Sequence, residues 1–312
     1  KSKKTSAPPA LEFLIAKNSR PPIVSKMRSK SVISNNKGVS INDVLQMSSD
    51  ITCFKIERGD SMSHSNPEEF YKNIAHRYHW FFSSWDDVMK RQMEQLVPLL
   101  REYRVHSVLD CACGTGLQVI GLRKAGFDVV GSDLSEDMLA VAGRNLEKEG
   151  IGDVQLVQAD FREINKKIDK KFDAVICMGN AIPHLFGNDE ILKALLSIYG
   201  CLEDKGVAVI ETRNYDKMLK DKYRFLPMRI HEEKDGFIIS ILYVFDYLPG
   251  LIKFNVVYLV ENPSTGERKM EVEVVDYNPV SRDVFVQLME QAGFADVQAI
   301  ECGPNILYTA VK

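Results

Sequence analysis

The segment Val108-Leu109-Asp110-Cys111-Ala112-Cys113-Gly114-Thr115-Gly116, followed by Leu117 to Lys124, spells an apolar strand, a loop of small residues and a helix. Such a corner lets backbone N–H groups approach a ligand closely, because Gly114 and Gly116 have no side chain to obstruct it. An ordinary tight turn has the same spelling, and two glycines alone are a weak signal. Val119 stands where the dinucleotide fingerprint has its third glycine, which disfavours NAD. The next strand, Val129-Val130-Gly131-Ser132-Asp133, puts a carboxylate 17 residues after Gly116, at the carboxyl edge of the sheet, where it can accept hydrogen bonds from a ribose diol. The third strand ends Gln158-Ala159-Asp160-Phe161, an acid and an aromatic suited to the edge and face of an adenine. Taken singly, Asp133 reads as a cap for the helix led by Ser135, and Phe161 as core. Three consecutive strand ends carrying such groups point to a nucleoside-type cofactor.

Around this corner, strand and helix patterns alternate. Strands are expected at 105–109, 128–132, 154–159, 174–178 and 207–211, with helices at 117–124, 136–148 and 190–202 between them. That alternation implies a parallel sheet with helices on both faces. Upstream, Pro67-Glu68-Glu69 opens a helix that reaches Phe82. A second helix, from Trp85 to about Tyr103, carries Met89, Met93, Leu96, Val97 and Leu100 on one stripe. After Arg213 the alternation stops. Runs at 225–232, 237–247, 251–260 and 269–277 are separated by Lys234-Asp235-Gly236, Pro249-Gly250 and Asn262 to Gly266, the turn chemistry of an antiparallel meander. A Ser281-led helix to Ala292, capped by Gly293, and strands at 295–301 and 306–311 close the chain. The expected organisation is a basic leader at 1–61, N-terminal helices covering the cofactor at 62–104, and a cofactor-binding core at 105–214. An antiparallel lid over the substrate follows at 215–280, and 281–312 complete the core.

The chain has 312 residues, 45% hydrophobic and 27% charged, enough to bury a sizeable core. No apolar run approaches the roughly 18 residues of a membrane span, so a soluble protein is expected. Six cysteines are few for the length and several sit in apolar runs, which suggests a reducing compartment, the cytoplasm. Cys111 and Cys113 lack a second Cys/His cluster, so they are expected to be core thiols and no metal site is expected. Residues 1–61 hold 11 Lys+Arg against 5 Asp+Glu, whereas the remainder holds 29 against 38. An acidic main part offers no footprint for a phosphate backbone, so the partner is expected to be a small molecule, with neither nucleic acid nor membrane involved. The leader, broken by Pro8-Pro9 and Pro21-Pro22, reads as a native basic tail, an organelle-type presequence or sequence appended ahead of a start at Met62. Its apolar stretch from Leu11 to Ala16 is too short for a secretory signal.

The loop from Asp110 to Gly116, Asp133 and Asp160-Phe161 together resemble the S-adenosylmethionine site of class I methyltransferases, with Ala112 in place of the first glycine of the commonest loop pattern. The closing helix and strand pair resembles that family's reversed hairpin. Ile176 to Leu185, with Gly179-Asn180 and His184-Leu185, and Glu211-Thr212-Arg213-Asn214-Tyr215-Asp216 resemble the G-N-x-x-x-H-L and R-N-Y-D signatures of glycine and glycine/sarcosine N-methyltransferases. The resemblance covers about residues 66–312 and includes the antiparallel insert.

It implies a Rossmann-like α/β fold with a seven-stranded, mostly parallel sheet lidded by the insert. It also implies S-adenosylmethionine as cofactor and in-line methylation of glycine and sarcosine, giving sarcosine, dimethylglycine and S-adenosylhomocysteine. Such an activity fits betaine synthesis or methyl-group balance. The resemblance places Asp110, Ala112, Gly114, Gly116, Asp133, Leu134, Met138, Asp160, Phe161 and Met178 against the cofactor. Tyr71 and Trp80 would close over it, and Arg91, with Lys90 one residue away, would hold its methionine carboxylate. A guanidinium suits a bidentate carboxylate clamp, which makes Arg213 the candidate for gripping the amino-acid acceptor; the plainer reading is a surface ion pair with Asp216 or Glu211. Asn180 can accept from the amine and donate to a carboxylate, or serve as a turn residue before Pro183. Tyr277 matches a family position whose hydroxyl faces the substrate, and reads equally as a core aromatic. His184 is placed as packing or support. Relatives form tetramers or monomers, so the oligomeric state stays open.

Three rivals carry their own signatures. An amino-methyltransferase of nucleic acid or protein amides would show an N/D-P-P-Y/F run where Gly179-Asn180-Ala181-Ile182 stands. A methyltransferase of another small amine or carboxylic acid would share the fold and differ in the insert. A noncatalytic S-adenosylmethionine-binding module would dispense with Arg213 and Asn180.

Overall fold

The computed structural model describes residues 64–312; the leader expected at 1–61 lies outside the described residues. Strands β1 (Ser107–Asp110), β2 (Asp128–Asp133), β3 (Gln155–Gln158), β4 (Phe172–Cys177) and β5 (Leu202–Arg213) pair in parallel. Four further strands, β6 (Phe225–Lys234), β7 (Phe237–Leu248), β8 (Leu251–Glu261) and β9 (Arg268–Tyr277), form a separate antiparallel meander. The closing strands β10 (Ala295–Cys302) and β11 (Asn305–Val311) form an antiparallel hairpin whose β11 joins β5, giving a seven-stranded sheet in the order β10-β11-β5-β4-β1-β2-β3. The eight α-helices of the described residues are α1 (Pro67–Ile74), α2 (Trp85–Glu102), α3 (Leu117–Lys124), α4 (Glu136–Lys148), α5 (Ile164–Lys167), α6 (Asn188–Cys201), α7 (Tyr215–Asp221) and α8 (Arg282–Gln291).

Period-two alternation sends successive residues of the central strands to opposite faces. On β4, Val175 and Cys177 join Ile191, Ala194 and Ile198 of α6 and Phe285, Leu288 and Met289 of α8. Ala174 and Ile176 join Leu96, Leu99 and Leu100 of α2 and Val119, Ile120 and Leu122 of α3. Local chemistry starts the helices: the side chains of Asn66, Ser84, Ser135, Asn214 and Ser281 each accept from an N–H of the first turn. Cys111, Cys113, Cys177 and Cys201 are buried thiols. Among the described residues no helix is long and apolar enough to cross a membrane, and no His, Cys, Asp or Glu cluster is placed to hold a metal ion.

A third core lies under the meander. Ile239, Ile241 and Phe245 of β7, Phe254, Val256 and Tyr258 of β8 and Tyr277 of β9 pack with Phe70, Ile74, Trp80 and Phe81 from the N-terminal segment. The single helix expected up to Phe82 is instead α1 followed by a 3₁₀ segment, Ala75–Phe81. Its tertiary contacts account for the tighter winding. Buried Arg77 ion-pairs with Glu271 and Glu273 of β9 while its guanidinium carbon sits 4.0 Å over the Tyr258 ring, and Ser65 and Asp276 exchange two hydrogen bonds. Helices α5 and α7 were not anticipated either, being too short to show a period.

The β1–α3 loop is held close to α4. Gly114 and Gly116 have φ of +53° and +87°, and a Cβ at Gly116 would lie 3.2 Å from Ala142 Cβ and 3.5 Å from its Cα. At Gly114 the nearest atom is the mobile end of Met138, Cε, at 3.4 Å. Gly114→Ala is expected to cost about 1 kcal/mol for the left-handed backbone alone, and Gly116→Ala about 2 kcal/mol or more because α4 cannot yield as a side-chain tip does. Urea denaturation of the two variants checks the ranking; equal losses would mean that the approach of α4 is slack.

Candidate functional site

The carboxyl ends of β1 and β2 carry two buried acids. Asp110 Oδ1 accepts from Ala112 N–H at 3.3 Å, while its Oδ2 is buried without a hydrogen-bond partner. Burial pushes Asp110 up to about 8 against the pull of the Ala112 N–H, and the nearby Asp133 charge adds to the rise. Asp133 Oδ2 accepts from Gly114 N–H at 2.8 Å and Oδ1 from Ser135 N–H at 3.0 Å. Its pKa is also raised, by burial that outweighs those bonds. Ser135, not Asp133, caps α4, since its Oγ accepts from Met138 N–H at 3.3 Å. Asp133 therefore ties the glycine loop to the end of β2 and keeps lone pairs for further donors. Ala112 lies in the same loop, Met138 is buried against Gly114, Leu134 is exposed beside Asp133, and Met178 is buried just past β4.

Asp160 is held more firmly than its sequence setting suggests. Arg162 Nε donates to both its oxygens, at 3.0 and 2.8 Å, and Arg162 also pairs with Glu190. That pairing keeps the Asp160 carboxyl below its usual range despite burial. Phe161 packs, partly buried, on the core beneath.

Beyond the end of β5 a cavity of about 300 Å³ opens between the seven-stranded sheet and the meander, lined among others by Tyr71, Asn180, Arg213, Tyr243, Phe254 and Tyr277. Arg213 stands with its guanidinium carbon 5.6 Å from the Tyr243 ring centre and 5.4 Å from that of Phe254. The surface ion pair is not formed: Asp216 accepts from Arg282 N–H, and Glu211 accepts from Gly179 N–H and Asn305 Nδ2. Burial works against the Arg213 charge, but the phenols of Tyr243, Tyr215, Tyr277 and Tyr223 outweigh it and raise its pKa. Asn180 is buried with a left-handed φ of +70°, its Oδ1 accepts from Arg213 N–H at 2.9 Å, and its Nδ2 lies 2.9 Å from Tyr215 Oη. It is both the turn residue and a wall of the cavity, and much of its amide is already engaged.

The N-terminal segment roofs this cavity. Tyr71 stands between the two halves of the site, with its hydroxyl 3.0 Å from His184 Nε2 and its pKa raised well above the usual phenol range, chiefly by burial, with Tyr277 and the Asp133 charge adding to it. Trp80 is turned to the meander instead, donating from Nε1 to Asp235 Oδ2 at 2.7 Å. Arg91 and Lys90 are exposed on α2, beside Gln92, whose Oε1 accepts from Gln118 Nε2 of α3 at 2.9 Å. Tyr78, Tyr243 and Phe254 line the cavity without having been singled out in the sequence. The alternation Ile241, Tyr243, Phe245 on β7 marks one face, but only the observed register, with Tyr243 opposite Val256 and Phe245 opposite Phe254, shows what it meets.

Residues 108–206 match the family described as "Methyltransferase domain". The glycine/sarcosine N-methyltransferase of Parasynechococcus marenigrum is 38% identical over 156 residues, 49% of this chain and 54% of that protein. The chain thus spans about half the length of the first relatives it matches, 54% and 55%. The glycine/sarcosine N-methyltransferase of Aphanothece halophytica is 31% identical over 230 residues, 70% of this chain and 79% of that protein. Among solved structures, an amino pentose methyltransferase of Micromonospora echinaspora with S-adenosylmethionine bound matches 76% of this chain and 95% of its own, with a TM-score of 0.64 at 20% identity. An S-adenosylmethionine-dependent methyltransferase from Clostridium acetobutylicum matches 77% of this chain and 98% of its own, with a TM-score of 0.62 at 17% identity. These two likenesses show the fold: the class I sheet order with its reversed hairpin. With the sequence match extending through most of the Aphanothece protein, the chain belongs to the family of the glycine/sarcosine N-methyltransferases, S-adenosylmethionine-dependent methyltransferases of class I fold.

Proposed function

We propose that this chain methylates the amino nitrogen of glycine, and then of sarcosine, giving sarcosine and dimethylglycine. The observation that supports this reading is Arg213, a half-buried guanidinium set between aromatic rings with no carboxylate paired to it among the described residues. The faces of Tyr243 and Phe254 compensate such a charge only in part. An amino acid's carboxylate supplies the missing bidentate partner. Asn180 fixes the clamp by holding the backbone of Arg213 where β5 ends.

The sheet edge fits the family's cofactor on its own chemistry. Asp110 Oδ2 is a buried carboxyl oxygen without a partner, protonated in the ligand-free chain and able to ionise against a cation, and Asp133 has lone pairs to spare beside a loop that a Cβ would crowd. Asp133 would hold the ribose diol, the backbone from Ala112 to Gly116 would line the cofactor, and Asp110 would face its positive end. S-adenosylmethionine, when bound, supplies a methyl on a positive sulfur: the amine's lone pair forms the new bond, the carbon–sulfur pair stays on sulfur, and the methylated ammonium releases one proton to water. No nucleophilic side chain is required. The work of the chain is alignment: gripping the carboxylate, presenting the amine and surrounding both with aromatic walls.

Arg213→Ala is expected to raise the KM for glycine tenfold or more, about what charge-assisted hydrogen bonds contribute, with cofactor affinity within twofold of wild type. Asp133→Ala should do the reverse, weakening the cofactor and sparing the acceptor. Kinetics with labelled donor and a cofactor titration check the pair; equal loss of both affinities in Arg213→Ala would remove the clamp. A second expectation concerns pH. Between its ordinary value of 3.8 and about 8, Asp110 keeps a proton in the folded chain that the unfolded chain has released, so stability falls as pH rises through that window. Asp110→Asn should flatten this part of the urea midpoint against pH curve in the ligand-free protein while weakening cofactor binding; an unchanged curve would show that Asp110 is not held protonated.

A further inference from the structure

We infer that His184 is a positioning residue for the acceptor amine: it holds the Tyr71 hydroxyl so that the phenolic oxygen faces the cavity as a hydrogen-bond acceptor, which restricts the site to amines that still carry an N–H. The inference rests on the amino-acid reading of the Arg213 cavity.

The geometry is built from three separate segments. His184 ends the 3₁₀ turn Ile182–His184, which is sewn to the chain after β9: Pro183 O accepts from Asn278 N–H at 2.7 Å, and Leu185 O from Asn278 Nδ2 at 2.9 Å. The imidazole lies 4.4 Å from the Tyr277 ring centre and edge-on to Tyr71 at 5.4 Å. Its Nε2 is 3.0 Å from Tyr71 Oη. Its Nδ1 is buried beside the backbone of Asp276, short of a well-formed hydrogen bond. The ionisable groups around Tyr71 are Tyr277, Tyr78, Asp133 and His184, and among the described residues no carboxylate pairs with the imidazole. Burial lowers the His184 pKa to about 4, against the pull of the Asp276 backbone, so the ring is neutral near pH 7.

A neutral imidazole carries a single N–H. With that proton on Nδ1, toward the Asp276 carbonyl, Nε2 has a lone pair and takes the only proton of Tyr71. The phenolic oxygen then has nothing to donate; one lone pair is within reach of the Tyr277 hydroxyl and the other is left for the cavity. An amine bound through its carboxylate to Arg213 satisfies this oxygen by donating an N–H, which fixes the direction of its own lone pair. Neutral glycine has two N–H bonds, sarcosine one and dimethylglycine none, so the tertiary amine is not held and methylation ends there.

The test compares wild type with Tyr71→Phe, His184→Phe, His184→Gln and the Tyr71→Phe/His184→Phe double variant, using labelled donor with glycine, sarcosine and dimethylglycine and a separate cofactor titration. Wild type is expected to form sarcosine and dimethylglycine and no trimethylated product. Tyr71→Phe and His184→Phe should each lose about tenfold in kcat with glycine, the scale of one hydrogen bond, and the double variant should be no slower than the slower single one. In His184→Phe cofactor affinity should stay within twofold, and His184→Gln, which still offers an oxygen to Tyr71, should recover part of the rate. Trimethylated product from wild type, additive losses, or a parallel fall in cofactor affinity in His184→Phe would overturn the inference. So would an acid limb in the kcat profile that vanishes in His184→Gln, which would make His184 a proton acceptor. If wild type methylates no amino acid, the reading of the cavity falls and takes this inference with it. If it methylates glycine and the single variants keep the wild-type rate, this inference falls alone.

Discussion

A half-buried positive charge at the end of a parallel strand is the constraint around which the site is arranged. Arg213 ends β5 where open α/β sheets gather ligands, and among the described residues no acid pairs with it, Asp216 and Glu211 being engaged elsewhere. Aromatic side chains line the cavity around it, Tyr243 and Phe254 from the meander, Tyr277 from its last strand and Tyr71 from the roof, and a second guanidinium, Arg229, also borders it. Under the proposed reading, two guanidiniums beside aromatic walls would disfavour cations and favour a carboxylate.

The two sheets divide the labour. The parallel sheet supplies backbone amides, Asp110 and Asp133 at strand ends whose positions are fixed by cores on both faces. The meander contributes one face only, and the alternation that buries Ile241 and Phe245 also delivers Tyr243. Neither sheet makes the cavity alone.

Much of this was legible in the sequence because its signals are local. The glycine loop, the alternation of strands and helices, the capping serines and the turn residues of the meander each lie within a dozen residues. Arg213 and Asn180 could be singled out for their chemistry, a guanidinium and a polar strand end, and both line the cavity. What the sequence did not show depends on pairings across long separations. Tyr71 and His184 are 113 residues apart, and Arg77 meets Glu271 across 194. The neutralisation of Asp160 by Arg162 is close in sequence, yet nothing in the spelling says that the guanidinium folds back and does not reach into solvent. The 3₁₀ winding of Ala75–Phe81 has no periodic signature, since it is imposed by what Arg77 and Trp80 bind.

The roof is fastened to the meander from outside the cavity, by Arg77 against Glu271 and Glu273 and by the Ser65–Asp276 pair. A molecule seated inside touches both parts and is held fully only while they stay together. By thermodynamic linkage its binding must tighten their attachment, and any weakening of those outer fastenings must loosen its hold to the same degree. Affinity at the centre is therefore set in part by contacts that the bound molecule never meets.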